Sequence, residues 1–403
     1  MIEAVDTRAK GLRPVRAERV EIAAFVRRLD WVLLAAVGAL LAYGLWAISG
    51  ITRHDVAGDP DYYVVRQGAY AAVGLLGLAL TVAINPDYYR RFKRLIYGGT
   101  LSVMLLVLLA GTVSRHSKRW LDLGFFRFQP SEFGKLLFVL FLAGFLADRA
   151  KRLGESTVVL EAIGFAAGPI LLVFVQPDVG TAMVYAVALA GVLFVAGTRW
   201  THLAALAAGA LVLILAVLWF LPAAGVHVLK PYQQARLTHF TNPSADPSGA
   251  TFNVAQSINA VGAGRFRGRG VAGATQTNFN FLPEHATDFA FASLAEERGF
   301  MGVSVLLLLY LLVVWRGLKI IAVARDAFSA IAAGGIVVGF LFQIFVNVGM
   351  SIGIAPVTGI PLPFVSVGGS AVIANLLAIG VLEAIHARGH TPRRRRLLIS
   401  SRL

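Results

Sequence analysis

Ten apolar segments dominate this chain and limit what it can fold into. Each is about 20 residues long, which is the length that a helix needs to cross roughly 30 Å of bilayer hydrocarbon. The segments lie near residues 31–49, 67–84, 95–113, 132–147, 157–175, 181–197, 201–221, 291–315, 327–349 and 367–385. The pattern predicts an all-α polytopic membrane protein with about ten transmembrane helices.

The composition supports a membrane location and excludes several other classes of protein. The chain is 57% hydrophobic and only 15% charged, whereas a soluble protein carries about 25% charged residues. It has no cysteine, which excludes disulfides and thiolate metal sites. The net charge of +15 would suit a nucleic-acid partner, but the charges lie mainly in short loops and at the two tails. That placement argues against nucleic acid.

The distribution of Lys and Arg predicts the orientation in the membrane. If both termini are cytoplasmic, the inner segments hold 24 of the 37 basic residues and the outer segments hold 11, as expected from the preference of basic loops for the cytoplasmic side. The chain then divides into a basic tail over residues 1–30, a membrane domain over 31–385 and a second basic tail over 386–403. Residues 1–30 have no apolar core, so they are not a cleavable signal.

The longest connection between spans covers residues 222–290 and joins spans seven and eight. In the predicted orientation it is a large extracytoplasmic loop. A connection of this length is usually functional rather than a passive linker. We expect it to form short helices that lie on the outer face of the membrane.

Ionisable residues within the apolar segments are costly in lipid, so each needs a partner or a function. Glu132 and Lys135 lie three residues apart and therefore share one face of a helix. They form either an internal ion pair that fixes helix packing or a pair that faces a substrate. Ser131 lies at the start of this helix and is a candidate cap.

The sequence VQPDVGTAMV, residues 175–184, interrupts an apolar stretch of about 40 residues. Pro177 and Gly180 break the helix, and such a break is tolerated only where it is buried in protein or faces a cavity. Asp178 therefore lies at a turn between two spans. It either makes an Asx-type hydrogen bond within that turn or faces an interface.

The sequence FLPEHATDFAF, residues 281–291, places Glu284, His285 and Asp288 immediately before span eight. Asp288 is either an N-cap of that span or a carboxylate held at the rim of a cavity. His285 is either a proton carrier or an ordinary polar loop residue. For the following Glu296, Glu297 and Arg298, a structural ion pair is the simplest interpretation.

Two further segments have an unusual composition. Residues 354–370, IAPVTGIPLPFVSVGGS, contain three prolines and three glycines. They predict a re-entrant or cavity-lining loop between the last two spans, with a simple outer turn as the alternative. Residues 260–270, AVGAGRFRGRG, lack the G-x-G-x-x-G spacing of a nucleotide-binding loop. As an outer basic loop they suit contact with anionic lipid phosphates.

Taken together, these segments resemble the SEDS family of polytopic glycosyltransferases, of which RodA and FtsW are the types. The resemblance covers nearly the whole chain from the first span to residue 385. It is carried by five motifs in the family's order, which are SKRWLDLGFFRFQPSEFGK (117–135), QPDVGTA (176–182), RLTHFTNPSADPSGATFNVAQS (236–257), NFNFLPEHATDF (278–289) and TGIPLPFVSVGGS (358–370). The sequences GIPLPF and RWLDLGFFRFQPSE resemble RodA more than FtsW.

The resemblance implies a function and a set of site residues. The implied reaction polymerises lipid II into glycan strands outside the bacterial inner membrane, during cell-wall elongation if the protein resembles RodA. The family's essential aspartate falls on Asp288. Its other motif residues fall on Arg119, Trp120, Gln129, Ser131, Glu132, Lys135, Gln176 and Asp178. Within the same motifs, Arg236, Glu284 and His285 are further candidates for substrate binding.

The implied chemistry explains why an aspartate and cations would be needed. A sugar hydroxyl is a poor nucleophile and requires a base, for which Asp288 is the candidate. A departing lipid pyrophosphate requires positive charge, for which Lys135, Arg119 and Arg236 are candidates. A divalent ion, Mg²⁺ or Mn²⁺, is another source of that charge. Pyrophosphate is a good leaving group, so no general acid is required.

Two alternatives come from other functional classes. A flippase or transporter of a lipid-linked precursor would also have broken helices and buried charges, although the sequence shows no inverted repeat. A non-catalytic scaffold would recruit a cell-wall transpeptidase. The family implies that the expected partner is a class B penicillin-binding protein, whose single transmembrane helix would pack on the outer spans.

Overall fold

The computed structural model describes residues 25–114, 117–122, 124, 126–238 and 252–389. Ten of the described helices are long and apolar enough to span a membrane. They are α1 (Trp31–Ile51), α2 (Tyr62–Ala83), α4 (Lys93–Ala110), α5 (Pro130–Asp148), α6 (Ser156–Val175), α7 (Val179–Ala196), α8 (Trp200–Ala223), α13 (Ala290–Val323), α14 (Ala327–Ser351) and α15 (Gly369–Gly389). The prediction of ten spanning helices is confirmed. Most of both basic tails lies outside the described residues.

The connections contain shorter elements. The helices among them are α3 (Pro86–Arg91), α9 (Pro231–Thr238), α10 (Phe252–Gly264), α11 (Gly270–Gly273) and α12 (Thr275–Asn278), with a 3₁₀ turn at Ala150–Arg152. The short helices expected in the long loop are therefore present. Three antiparallel strands, β1 (Thr112–Ser114), β2 (Ser117–Asp122) and β3 (Arg127–Phe128), form a small sheet before α5 in the order β1-β2-β3.

The core of the bundle is built around α5 and α15, whose residues are almost entirely buried, whereas α8 is almost entirely exposed on the outside. Glycines allow the central helices to approach closely. At Gly380 of α15, an added Cβ would lie 2.7 Å from the carbonyl oxygen of Leu78 in α2. At Gly335 of α14, it would lie 2.6 Å from a methyl carbon of Val139 in α5. Close backbone approach at small residues is the usual packing mode in membranes, where burial in lipid provides no hydrophobic force between helices.

One end of the bundle is held by a buried charge cluster. Asp30 caps α1 by accepting the N–H of Leu33 at 3.1 Å. Its other oxygen accepts from Nε of Arg316 in α13 at 2.7 Å. The N–H of Asp30 donates to Glu383 of α15 at 2.9 Å. Three helices that are distant in sequence are thereby fixed together at this end.

Helix α13 is broken at Gly299, where φ is 65° and ψ is −164°. The turn that follows α10 docks into the break and satisfies the freed backbone groups. The N–H of Phe300 donates to the carbonyl of Arg265 at 2.8 Å, and that of Met301 donates to the carbonyl of Phe266 at 3.1 Å. The N–H of Arg269 donates to the carbonyl of Glu296 at 2.8 Å. The basic segment 260–270 therefore uses its backbone to complete a membrane helix.

The ion pair expected among Glu296, Glu297 and Arg298 is not formed, so that prediction is wrong. Glu296 accepts the N–H groups of Gln276 and Thr277 at 2.9 and 3.0 Å and holds α12. The guanidinium of Arg298 lies 4.0 Å from the centroid of the Trp46 ring. Adjacent residues on a helix do not face each other, so neighbours in sequence are poorly placed to form an ion pair.

The loop between α14 and α15 folds back into the bundle, as expected for a re-entrant segment. Ile360, Leu362 and Val365 are buried. The Nε2 of Gln67 donates to the carbonyl of Ser366 at 3.0 Å, and the Oε1 of Gln67 accepts from the N–H of Gly368 at 3.2 Å. These bonds satisfy irregular backbone at membrane depth, which is tolerated only where protein or a water-filled cavity supplies partners.

We predict that Gly299→Ala destabilises the protein, because φ of +65° with an extended ψ is a conformation that non-glycine residues rarely adopt. An added Cβ would also lie 2.2 Å from the backbone nitrogen of Gly268. The expected loss is at least ~1–3 kcal/mol, measured as a lower melting temperature in detergent. Gly98→Ala is the control, because no atom lies within 4 Å of the added Cβ. Equal melting temperatures for the two variants would contradict the role of the break.

We predict that single cysteines introduced at Val226 and Lys151 are labelled from opposite sides of the membrane. Both positions are exposed, and the chain has no native cysteine to interfere. Val226→Cys, in the connection between α8 and α13, should react with an impermeant maleimide in intact cells. Lys151→Cys should react only after permeabilisation. The reverse result would invert the predicted orientation.

Candidate active site

A cavity of about 830 Å³ opens at the end of the bundle opposite Asp30. Its wall is formed by the start of α2, the β-sheet, the start of α5, the break before α7, helix α9, the loop that precedes α13 and the re-entrant loop before α15. A volume of this size is typical of a site for a small ligand or a headgroup. The cavity therefore collects all five sequence motifs from distant parts of the chain.

Eight of the twelve predicted site residues line this cavity. They are Arg119, Trp120, Gln129, Glu132, Asp178, Arg236, Glu284 and Asp288. The other four, Ser131, Lys135, Gln176 and His285, are absent from the lining. Each of these four has a structural partner within the protein, and their assignment to substrate binding stays a prediction.

Asp288 lies in the loop ahead of α13 and faces the cavity. Helix α13 begins at Ala290 with Phe289 as its N-cap and without a side-chain capping bond, so the N-cap interpretation of Asp288 is wrong. The Nδ2 of Asn347 donates to the carbonyl of Asp288 at 2.9 Å and to that of Ile360 at 2.8 Å. One buried amide thus ties the Asp288 loop to the re-entrant loop.

The turn around Glu284 gives the Asp288 loop its shape. Glu284 has φ of +57°, and its carbonyl accepts the N–H groups of Thr287 and Phe289, each at 3.1 Å. The hydroxyl of Thr287 donates to the Glu284 carboxylate at 2.8 Å. A left-handed conformation at a non-glycine residue is a strained feature that often occurs at functional sites. The turn limits the positions that the Asp288 carboxylate can adopt.

His285 points away from the cavity and is buried. Its Nε2 lies 3.0 Å from Oδ1 of Asp55, which belongs to the connection between α1 and α2. The hydroxyl of Ser293 donates to the carbonyl of His285 at 3.2 Å. His285 therefore fixes the Asp288 loop onto the connection between α1 and α2, and its contact with substrate stays a prediction.

Glu132 and Lys135 form the internal ion pair that their spacing suggested. The Nζ of Lys135 lies 2.8 Å from Oε2 of Glu132 and 3.1 Å from Oε1 of Gln343 in α14. Only Glu132 contributes to the cavity wall. The ammonium of Lys135 is bound to two side chains behind the wall, and its contact with a substrate pyrophosphate stays a prediction.

Ser131 also makes structural contacts within the protein. Its hydroxyl accepts from Nε2 of Gln129 at 3.3 Å, and its carbonyl accepts from the buried Tyr185 hydroxyl at 3.0 Å. It does not cap α5, because the N-cap is Gln129 and has no side-chain capping bond. Ser131 joins the start of α5 to α7 and shapes the cavity from behind.

Asp178 and Arg119 connect the broken helix to the β-sheet. Asp178 caps α7 by accepting the N–H of Thr181 at 3.1 Å, as the Asx-type interpretation predicted. Its Oδ2 lies 3.6 Å from Nη1 of Arg119, whose Nε donates to the carbonyl of Gln176 at 3.2 Å. The side-chain amide of Gln176 donates to the carbonyl of Met104 at 2.9 Å. Gln176 is therefore structural, while Asp178 and Arg119 are both structural and part of the wall.

One side of the cavity is a polar face of α2, whose residues lie outside the motifs identified in the sequence. Tyr63, Arg66, Gln67 and Tyr70 all line the cavity. Their spacing of i, i+3, i+4 and i+7 is that of one helical face, so a polar stripe on an otherwise apolar span was the available signal. Among the strand residues, Asp122 and Arg127 were also missed.

Both signs of charge are present in the cavity. Four arginines line it together with five carboxylates. Within the described residues, no group of three His, Asp or Glu side chains is arranged to hold a metal ion by itself. The arrangement suits an anionic ligand bound beside a carboxylate.

Comparison with known proteins gives consistent results. A family model described as "Cell cycle protein", which represents FtsW, RodA and SpoVE, matches residues 27–391. Peptidoglycan glycosyltransferase MrdB of Escherichia coli K12 is 36% identical over 359 residues, which cover 89% of this chain and 93% of the relative. A probable peptidoglycan glycosyltransferase FtsW of Thioalkalivibrio sulfidiphilus is 36% identical over 371 residues, covering 89% of this chain and 90% of the relative.

A solved structure has the same fold. A chain from a peptidoglycan synthase complex, studied for its coordination of polymerization and crosslinking, superposes with a TM-score of 0.76 and 28% identity. The match covers 90% of this chain and 99% of that chain. The similarity therefore extends over most of the chain.

We predict that Lys135→Met lowers stability, because it leaves Glu132 buried without its cationic partner. Removing one member of a buried pair costs about 3–5 kcal/mol, whereas replacing both is often neutral. The double variant Glu132→Gln/Lys135→Met should therefore recover most of the melting temperature lost by Lys135→Met. A single variant with unchanged melting temperature and a raised KM would instead favour direct substrate binding by Lys135.

Proposed function

The chain belongs to the FtsW/RodA/SpoVE family, the SEDS glycosyltransferases, and from that premise we propose that Asp288 is the general base of its glycosyl transfer. The protein is a multi-pass membrane peptidoglycan glycosyltransferase of cell-wall synthesis. The observation that carries the proposal for Asp288 is its position in a cavity wall that also contains four arginines, within a loop held by hydrogen bonds.

The proposed substrate is lipid II, which serves as both donor and acceptor. The hydroxyl of the acceptor sugar attacks the anomeric carbon of the donor, and Asp288 takes the hydroxyl proton. The new glycosidic C–O bond forms as the bond to the pyrophosphate breaks, and the lipid pyrophosphate leaves with the electron pair. A single displacement converts the α-linked donor into a β-linked product.

The surroundings of Asp288 support a role as base. Its loop is held by the hydrogen bond from Asn347 to the carbonyl of Asp288 and by the contact between His285 and Asp55. The added Cβ at Gly359 would lie 3.5 Å from Oδ2 of Asp288, so the re-entrant loop passes close to the carboxylate. Positioning a base within hydrogen-bond reach of its proton is the first requirement for general base catalysis. These contacts reduce the reorganisation needed before proton transfer.

The proposed orientation has both termini in the cytoplasm and the cavity on the outer face of the cytoplasmic membrane. This orientation rests on the distribution of Lys and Arg between the loops. It puts the cavity at the level where a lipid-linked headgroup would lie while its tail remains in the bilayer. We also propose that a divalent ion, if used, is held mainly by the pyrophosphate of the substrate.

We further propose cell-wall elongation as the process and a class B penicillin-binding protein as the partner. The sequences of the GIPLPF and RWLDLGFF segments, which resemble RodA more than FtsW, support elongation. The structural similarity to a chain from a peptidoglycan synthase complex supports a partner. Transport and scaffolding are not favoured by a specific observation, since the relatives compared above are named as glycosyltransferases.

We predict that Asp288→Asn lowers the rate of lipid II polymerisation about 10²–10⁴-fold, because the amide cannot accept the hydroxyl proton. The measurement is the formation of glycan polymer on a gel by purified protein, with and without the transpeptidase partner and divalent ions. Asp59→Asn is the matched control, because Asp59 is exposed and does not line the cavity.

The melting temperatures of both variants should equal that of the wild type, so that any loss reflects chemistry. Full activity of Asp288→Asn would refute the assignment of the base. Absence of polymer even from the wild type, with partner and divalent ions present, would contradict the proposed substrate.

A further inference from the structure

We propose that Arg66 is the anion-binding residue of the cavity and holds the pyrophosphate of the lipid-linked substrate. The inference rests on the proposed function, because it names the residue that recognises one part of that substrate. It was not suggested by any of the five sequence motifs, since Arg66 lies in α2, outside all of them.

Arg66 is placed to meet a ligand in the cavity. It lies in the second turn of α2 and contributes to the lining. Its guanidinium carbon lies 4.6 Å from the centroid of the Tyr62 ring, which supports the side chain through a cation–π contact. Within the described residues, its guanidinium makes no ion pair. An arginine without a carboxylate partner retains its full capacity to bind an anion.

Two other arginines in the lining are engaged by the protein. Arg119 is bound to Asp178 and to the carbonyl of Gln176. Arg127 has its Nε 3.8 Å from Oδ2 of Asp122. A substrate phosphate would have to compete with these carboxylates. It would not meet such competition at Arg66, which makes Arg66 the stronger anion site.

The orientation of α2 directs Arg66 into the cavity. The side-chain amide of the adjacent Gln67 donates to Ser366 and accepts from Gly368, so the rotation of the helix is fixed by two bonds to the re-entrant loop. Farther along the same helix, Leu76 and Leu80 are exposed on the outer surface of the bundle. One helix therefore presents a polar face to the cavity and an apolar face to the membrane.

The position of Arg66 relative to the membrane favours binding of the pyrophosphate over the other anionic groups of the substrate. Arg66 lies near the N-terminus of a membrane-spanning helix, which is the boundary between lipid and water. The pyrophosphate joins the lipid tail to the sugars and must lie at that boundary, whereas the carboxylates of the peptide lie farther out. The N-terminal end of a helix also favours negative charge. An arginine can bind phosphate oxygens through two parallel hydrogen bonds.

The test compares wild type, Arg66→Ala, Arg66→Lys and the control Arg53→Ala in lipid nanodiscs. Arg53 is an exposed arginine of the connection that precedes α2, and it does not line the cavity. Two quantities are measured, which are the KM for lipid II and the affinity for undecaprenyl pyrophosphate, a probe without sugar or peptide. Arg66→Ala removes charge-assisted hydrogen bonds. We therefore expect the KM for lipid II to rise, and the affinity for undecaprenyl pyrophosphate to fall, by about tenfold or more.

The conservative variant separates the charge of Arg66 from its geometry, and the control shows the effect of removing an exposed charge elsewhere. Arg66→Lys keeps the charge but loses the paired geometry, so its affinity for the probe should be intermediate. Arg53→Ala should stay within about twofold of the wild type, as expected for an exposed charge. All four proteins should have similar melting temperatures, because Arg66 and Arg53 are exposed to solvent.

Unchanged affinity of Arg66→Ala for undecaprenyl pyrophosphate would overturn the proposal. A raised KM for lipid II with unchanged affinity for the probe would also overturn it, since Arg66 would then recognise a peptide carboxylate. The binding measurement does not depend on turnover. If the wild type made no polymer, the proposed function would fail, while the affinity of Arg66→Ala for the probe would still decide the inference.

Discussion

The structure depends on the need to satisfy backbone polar groups at membrane depth, where water is not available as a partner. The cavity requires irregular backbone, because a continuous helix cannot present a loop to a headgroup. The protein meets this requirement with side chains and turns from other elements. Asn347 bonds to the carbonyls of Asp288 and Ile360, Gln67 bonds to Ser366 and Gly368, and the turn after α10 completes α13 at Gly299.

Charged side chains around the cavity are likewise held by partners within the protein. Lys135 holds Glu132, Arg119 holds Asp178, and His285 holds Asp55. Each pair joins two different helices or connections, except for Glu132 and Lys135, whose link to Gln343 reaches α14. Charged groups fixed in this way are preorganised, so little reorientation is needed when charge develops during a reaction. The cavity wall also includes Asp288 and Arg66, the proposed base and the proposed anion-binding residue.

Helix α2 links the cavity to the membrane. Its polar face contributes Tyr63, Arg66, Gln67 and Tyr70, while its opposite face is apolar and exposed. The ring of Tyr70 lies 5.6 Å from that of Phe126, so the helix also packs on the tip of the β-sheet. A lipid-linked substrate has one polar and one apolar part, and a helix with two such faces can contact both parts at once.

The sequence alone determined the ten spanning helices, because the length and apolarity of each segment are local properties of the chain. It also pointed to Asp288, Glu132 and Asp178 through ionisable residues beside breaks, and to the re-entrant loop through its prolines and glycines. Tertiary structure alone decided that Lys135, His285 and Gln176 turn away from the cavity and that Arg66 enters it. Spacing along a helix shows which side chains share a face, but which faces meet depends on contacts between residues hundreds of positions apart. The bond of Gln67 to Ser366, which orients Arg66, is one such contact.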